Sequence, residues 1–445
     1  MRDHSNHIEF TRQAAVEAML EASGFAFTFA AGEEGTTPES AAIAATRSET
    51  VPLSQAYGRV LAADVRARVD SPTVLTCCMD SVAVHWSDFA DGQTPDYNTW
   101  VRGVDWQFAN TGIAMPEGFD TAVVIERVQV SPDEQHIVIE AAPSKQFAGT
   151  RAPGEKLRAG SLVATAGTTI TPDVAAAIGS ANVGNVSVVR KPRVAFIPTG
   201  NELMPPAVPP RADGAFAGLG KNFETNSILV KGRVEAWGGT CQVFDIVPDD
   251  PQEIAAAIHQ ACAQADIVVL NAGSSKGSDD WSCEQMEELG TVLFHETNHG
   301  PGHHSSFAVV DNTPVVGISG PSRGASLTLN FYLLPLIKAY LGQDATPKTA
   351  WAQLEEPFPQ KHKKPAQEAK DAKKGPGESR PSVVQNDRQF FGIKPVDVTF
   401  GEDGKLHAVP AKGPDPTCTA TAVFLLPSDP DKNPAVGSLI QIEWR

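Results

Sequence analysis

Apolar positions change their spacing several times along this chain, and each change marks an element. Residues 8–22 place Ala14, Ala15, Ala18, Met19 and Leu20 on one side of a helix. Residues 51–61 predict a second helix, with Ser54 as its N-cap. Short alternating runs separated by Gly, Pro and Asp turns fill 66–150 and predict a β-rich module. A short helix follows at 172–181. From 191 the rhythm becomes strand and helix in turn. Strands are expected at 194–197, 242–247, 267–270 and 314–318. Helices are expected at 225–237, 252–264, 281–289 and 322–341. That alternation predicts a doubly wound α/β sheet whose ligands sit in loops at the carboxyl ends of the strands. Residues 382–445 alternate apolar and polar positions and predict a small β-barrel-like domain.

Length supports this division, since 445 residues exceed one ordinary domain. The boundaries read as 1–65 with 151–190 (a linker region), 66–150, 191–345, a flexible linker at 346–381, and 382–445. The part of the linker at 361–380 holds seven Lys/Arg against three Asp/Glu and no large apolar side chain, so it reads as a solvated tether. A formal charge of −17 argues against a general nucleic-acid or membrane-surface binder. No apolar run approaches the roughly 18 residues of a membrane span, and the first ten residues lack a signal-peptide core, so a soluble cytoplasmic protein is expected. The six cysteines form no C-x-x-C pair and read as free thiols.

Four loops follow the four predicted strands. They are Pro198-Thr-Gly-Asn-Glu-Leu203, Val247-Pro-Asp-Asp-Pro251, the Gly/Ser segment Leu270-Asn-Ala-Gly-Ser-Ser-Lys-Gly-Ser-Asp-Asp280, and Gly317-Ile-Ser-Gly-Pro-Ser-Arg-Gly-Ala325. The third combines backbone N–H groups at a helix start, the cation Lys276, and carboxylates at Asp279 and Asp280. Both signs of charge on one loop suit an oxyanion with a metal ion, or a phosphorylated ligand.

In this order the motifs resemble the molybdopterin molybdenumtransferase family, of the MoeA and gephyrin E-domain type, as a divergent member. The resemblance extends over nearly the whole chain. It includes Ser71-Pro with Cys78-Met-Asp-Ser-Val-Ala83, then Asn110-Thr-Gly with Met115-Pro-Glu-Gly-Phe-Asp-Thr-Ala-Val-Val124. Arg151, Gly154-Glu-Lys156, the four loops and Asn226 continue it. The resemblance implies an elongated homodimer with a dimerising linker region, a β module, a MogA-like α/β domain and a C-terminal β domain. It implies insertion of molybdate, or tungstate, into adenylylated molybdopterin with Mg²⁺ and release of AMP. Further implied partners are other cofactor-biosynthesis proteins or molybdoenzymes. Carried over one at a time, Asp80, Asp249, Asp280 and Glu202 are the catalytic carboxylates. Asp280, Asp249 and Glu202 are also the metal ligands. Thr111 and Ser275 match substrate-side positions of the family motifs, and with Gly273, Ser274, Gly277, Ser319, Gly320 and Ser322 they are expected to bind substrate; Lys276, Arg323 and His303, which the family does not have at these positions, are expected to join them.

The departures bear on the chemistry. The family's K-P-G-K-P loop reads His299-Gly-Pro-Gly-His-His304, so both lysines are gone. Its L-P-G-N-P loop reads Ile318-Ser-Gly-Pro-Ser322, and Asn201 and Lys156 stand where it has acidic residues. Lys276 and Arg323 are the expected replacement cations. His299, His303 and His304 are expected to add charge as pH falls from about 8 to 6. The expected function is therefore the transferase; the alternative is a non-catalytic molybdopterin-binding paralogue acting as carrier or assembly partner.

Overall fold

A computed structural model describes residues 9–25, 47–92, 94–206, 220–272, 281–359, 391–411, 422–427 and 434–444. The chain divides into two compact units. One comprises Met1–Thr28 with Lys191–Arg445, and the other Phe29–Arg190.

The first unit is built on a six-stranded sheet of β1 (Arg193–Ile197), β2 (Thr240–Val243), β3 (Ile267–Ala272), β4 (Gly290–Phe294), β5 (Ser306–Val310) and β6 (Thr313–Ser319), in the order β2-β1-β3-β6-β5-β4. The first four strands in that order are parallel. The inner strands β1, β3 and β6 are nearly all apolar because helices cover both faces, whereas the edge strand β2 (Thr-Cys-Gln-Val) is mostly exposed. Ala195, Ile197, Val268 and Leu270 pack under the helix Pro251–Gln264, while the alternate residues Val194, Phe196 and Val269 are buried on the other face. That helix buries Ile254, Ala257, Ile258, Ala261 and Cys262, an i, i+3, i+4 stripe. Asp250 caps it by accepting from the backbone N–H groups of Gln252 and Glu253. The strands β5 and β4 extend one edge antiparallel, so the sheet is mixed and not wholly parallel as the alternation implied.

Helices α1 (Arg12–Ser23), α2 (Asn226–Ala236), α3 (Pro251–Gln264), α4 (Ser282–Leu289), α5 (Ser322–Thr328) and α6 (Leu334–Tyr340) also belong to this unit. The single helix expected over 322–341 is broken by a π turn at Leu329–Leu333. Pro335 follows at once; it lacks the N–H that would continue the ladder, and the wider turn absorbs the loss. The first helix starts at Thr11, whose side chain accepts from Ala14 N–H, and buries Ala15 and Met19. Its Arg12 guanidinium lies 3.9 Å from the centre of the Phe331 ring and pairs with Glu443 on the last C-terminal strand. The N-terminal helix is thus part of this unit, an arrangement the sequence-based division does not contain.

The C-terminal strands are β7 (Thr349–Leu354), β8 (Phe391–Phe400), β9 (Leu406–Pro410), β10 (Ala422–Pro427) and β11 (Leu439–Trp444). Each is hydrogen-bonded to two others of the set, around Ala352, Leu354, Val396, Ala408, Ile440 and Ile442.

The second unit holds three sets of buried apolar residues among those described, one of them small and set around Cys77, Ala109 and Phe119. Of the remaining two, one surrounds Leu61, Ile170, Ile178 and Val188. The other surrounds Val82, Val84, Trp106 and Ile137, where the strand Ser81–Val84 pairs with Trp106–Ala109 on one side and Thr121–Val124 on the other. The helix expected over 51–61 is not formed. Ser48–Pro52 is instead a strand paired with Asn185–Val189, and only a 3₁₀ turn at Leu53–Gln55 follows. Ser54 caps nothing; Pro52 occupies the cap position without a side-chain bond. Cross-strand pairing of Val51 with Val186 outweighs the local helical spacing. Cys77, Cys78, Cys241, Cys262 and Cys283 are free thiols. No described helix is long and apolar enough to cross a membrane.

Candidate functional site at the carboxyl edge of the sheet

Because β2, β1, β3 and β6 are parallel neighbours, the loops that leave them open on one edge. After β1 the chain pairs once more, Thr199 with Val247, and then turns at Gly200. Gly200 has φ +145, and a Cβ there would come within 2.6 Å of the Glu202 carboxylate. Glycine therefore lets the Glu202 side chain fold back over the turn. Asn201 N–H donates to Asp249 Oδ2 at 2.8 Å, and Asp249 N–H returns a longer bond of 3.4 Å to Asn201 Oδ1. Two loops are thereby locked together, with Glu202 the next residue along. Leu203–Met204 then pairs with Asn222–Phe223, and Lys221 Nζ donates to the Asn201 carbonyl at 2.7 Å.

The deeper part of the edge is a buried amide network. Thr199 Oγ1 donates to the Asn271 carbonyl at 2.5 Å. Asn226 Nδ2 donates both to Asn271 Oδ1 and to the Gly320 carbonyl, each at 2.9 Å. Three strand ends and the start of α2 meet in these bonds. The Glu224 carboxylate, itself buried, accepts from Ser227 N–H in the first turn of α2, where the helix dipole favours negative charge. Two buried atoms at this edge, Asn226 Oδ1 and Ser319 Oγ, have no hydrogen-bond partner among the described residues. Gly324 is required here as well, since a Cβ on it would lie 2.1 Å from Ser319 Oγ.

The structure thus brings Asp249, Glu202, Ser319 and Gly320 to one edge. Ser322 and Arg323 are exposed at the start of α5. Gly273, Ser274, Ser275, Lys276, Gly277 and Asp280 lie outside the described residues. Among the described residues no group of three or more His, Cys, Asp or Glu could hold a metal ion. In the second unit Asp80 and Thr111 meet directly. Asp80 Oδ1 accepts from Thr111 N–H at 2.9 Å and from its hydroxyl at 3.0 Å. These two bonds hold the Asp80 carboxyl below its ordinary value, so it stays ionised.

The histidine loop differs from the expectation. His299 is 1% exposed and lies with Nε2 2.7 Å from the Tyr332 hydroxyl. Its Nδ1 is 3.3 Å from the Pro301 carbonyl, which fixes Nδ1 as donor and Nε2 as acceptor. Burial, then the charge of Arg12, lowers its pKa to about 4. His299 is therefore neutral at pH 6–8 and cannot supply the titrating charge expected of it. His303 is half-buried and packs on His304 with ring centroids 3.7 Å apart, while its carbonyl accepts from Thr297 N–H.

Sequence reasoning assigned no role to Thr199, Asn271, Glu224 or Lys221. The available signal for Asn271 was an amide ending an apolar strand; Lys221 carried none.

Residues 24–181 match the MoeA N-terminal region (domain I and II), and residues 195–339 match the probable molybdopterin binding domain. The molybdopterin molybdenumtransferase of Haemophilus influenzae is 27% identical over 311 residues, which cover 67% of this chain and 74% of that protein. The molybdopterin molybdenumtransferase of Synechococcus elongatus is 29% identical over 331 residues, covering 69% and 79%. Two solved structures of the molybdopterin biosynthesis MoeA protein of Pyrococcus horikoshii share the fold. Their TM-scores are 0.68 and 0.64, at 20% and 21% identity, with 98% of this chain covered and 99% and 100% of those chains. The second matched region takes in nearly all of the parallel part of the sheet and its loop edge, and the two matched regions together take in most of the chain, so the chain belongs to the MoeA family.

Proposed function

We propose that this protein acts in molybdenum cofactor biosynthesis as a molybdopterin molybdenumtransferase, placing molybdate, or tungstate, in adenylylated molybdopterin with release of AMP. The observation that carries this reading is the edge itself, where Asp249, Glu202 and the Asn226–Asn271–Gly320 network converge at the ends of four parallel strands. Relatives named for this reaction align along about two thirds of the chain.

Mg²⁺ takes one or two carboxylates and fills its other positions with water and substrate phosphates. Asp249 and Glu202, on loops already tied by the Asn201–Asp249 bond, fit that donor set, with Asp280 as a third carboxylate. When bound, such an ion supplies charge neutralisation at the pyrophosphate. The chain's own groups do the rest. The amide network fixes the Gly320 carbonyl at the end of the sheet, where the residue itself is exposed. Asp80, kept ionised by Thr111, is read as a further carboxylate of the reaction, donated across a homodimer in the cytoplasm. The paired strands of the C-terminal domain are read as a small closed barrel. A second reading, a non-catalytic molybdopterin carrier, is favoured by one observation, the neutrality of His299. The two separate in an assay with adenylylated molybdopterin, Mg²⁺ and molybdate: a transferase releases AMP only when molybdate is present, and a carrier releases none.

A further inference from the structure

We infer that Lys221 is the cation that receives a doubly charged oxyanion, molybdate or the nucleotide phosphate, at the carboxyl edge of the sheet. The identity of the ligand rests on the transferase reading; the need for a cation rests on charge alone. Asp249 and Glu202 stand on neighbouring loops of this edge, and a dianion brought to them meets repulsion unless positive charge is fixed nearby. His299 contributes none, since it is buried and neutral.

On the described loops of this edge the cations are Lys221 and Arg323. Lys221 is the one held in place. Its Nζ lies 2.7 Å from the Asn201 carbonyl, and the same Asn201 offers its N–H to Asp249. The strand pair that follows, Leu203 with Asn222 and Met204 with Phe223, fixes the backbone on both sides of the contact. Asn222 N–H bonds the Glu202 carbonyl at 2.7 Å, so the lysine and the glutamate ride on adjacent strands of one small ribbon. The printed contact of Lys221 Nζ is with a neutral carbonyl, and it makes no ion pair among the described residues. An ammonium has three N–H donors, and the Asn201 carbonyl takes one. Two remain, on an exposed group, at the mouth of the edge. A lysine serving only to fasten the loop would be as well satisfied by any neutral donor of the same length. A lysine serving an anion would not.

The test uses the full-length protein. Calorimetric titrations with molybdate alone, and separately with AMP alone, compare the unmodified protein with Lys221→Gln and Lys221→Arg at constant Mg²⁺ and at two salt concentrations. Lys221→Gln is expected to weaken one of the two oxyanions about tenfold, the scale of a charge-assisted hydrogen bond near water. Lys221→Arg is expected to restore most of that affinity, and the salt dependence is expected to fall in Lys221→Gln. Which anion loses affinity distinguishes a molybdate subsite from a phosphate subsite. Equal affinities in the unmodified and Lys221→Gln proteins, with cofactor still formed, overturn the inference and leave the transferase reading standing. A Lys221-dependent oxyanion site in a protein that forms no cofactor supports the inference and overturns that reading. An unmodified protein that binds neither anion overturns both.

Discussion

Asn226 offers the sharpest perturbation of the edge, because alanine and aspartate remove its amide donor in different ways. Its Nδ2 serves Asn271 Oδ1 and the Gly320 carbonyl. Truncation to alanine leaves the Asn271 oxygen buried without a donor, worth about 1–3 kcal/mol. The Gly320 carbonyl belongs to an exposed residue and can take water, adding at most about 1 kcal/mol. Removing the unpaired Asn226 Oδ1 returns about as much, so Asn226→Ala is expected to cost about 1–3 kcal/mol net. Asn226→Asp keeps the volume but sets an oxygen against two acceptor oxygens and buries an unpaired charge, for about 3–5 kcal/mol. The protein has two compact units, so a single unfolding midpoint is the wrong readout. Amide hydrogen exchange in β3, at 267–271, reports this unit directly. The expected order of protection at pH 7 is asparagine, alanine, aspartate, with the aspartate variant recovering in acid as its carboxyl gains a donating proton. If aspartate is tolerated within about 0.5 kcal/mol, or alanine proves worse than aspartate, volume and not hydrogen bonding holds this edge together.

Other outcomes follow from the same geometry. His299 has a folded pKa near 4 against an unfolded value of about 6.5, so its contribution is complete above pH 6.5 and is lost as pH falls towards 4, by about 3 kcal/mol. Thermal midpoints of this unit against pH are expected to lose most of that slope in His299→Gln, and identical slopes in the two proteins count against a buried neutral imidazole. Asp80→Ala is expected to speed amide exchange at Thr111 while leaving the thermal midpoint of its own unit unmoved, because both residues are exposed; unchanged exchange there would mean the contact does not order the turn. Asp280→Asn is expected to lower turnover by roughly 10²–10³ and to spare molybdopterin binding, and a folded variant with full turnover removes Asp280 from the chemistry.

What the sequence displays depends on whether an element is specified locally. The helix Pro251–Gln264 is legible because its Asp250 cap, its first-turn Glu253 and its apolar stripe lie within one short stretch. The strand Ile267–Ala272 is legible because burial on both faces demands an unbroken apolar run. Residues 51–61 mislead because the partner strand Asn185–Val189 is more than a hundred residues away. The antiparallel edge of β4 and β5 escapes notice because two short strands flank the histidine loop without a hairpin turn between them. The carboxylates Asp249 and Glu202 stand in recognisable loops. Their anchoring by Asn201, and the Thr199–Asn271–Asn226 network, are contacts between separate strand ends that spacing along the chain does not encode. Burial of His299 beneath Tyr332 is likewise a tertiary event, and it changes a candidate cation into a neutral strut.

The most direct test of the proposed activity follows AMP in a single-turnover reaction of the full-length protein with adenylylated molybdopterin, Mg²⁺ and molybdate. AMP release is expected to require molybdate, to match the cofactor formed, and to fall sharply in Asp249→Asn and Glu202→Gln. Tight molybdopterin binding with no molybdate-dependent AMP, in a protein whose Asn226 network is intact by hydrogen exchange, would contradict that activity.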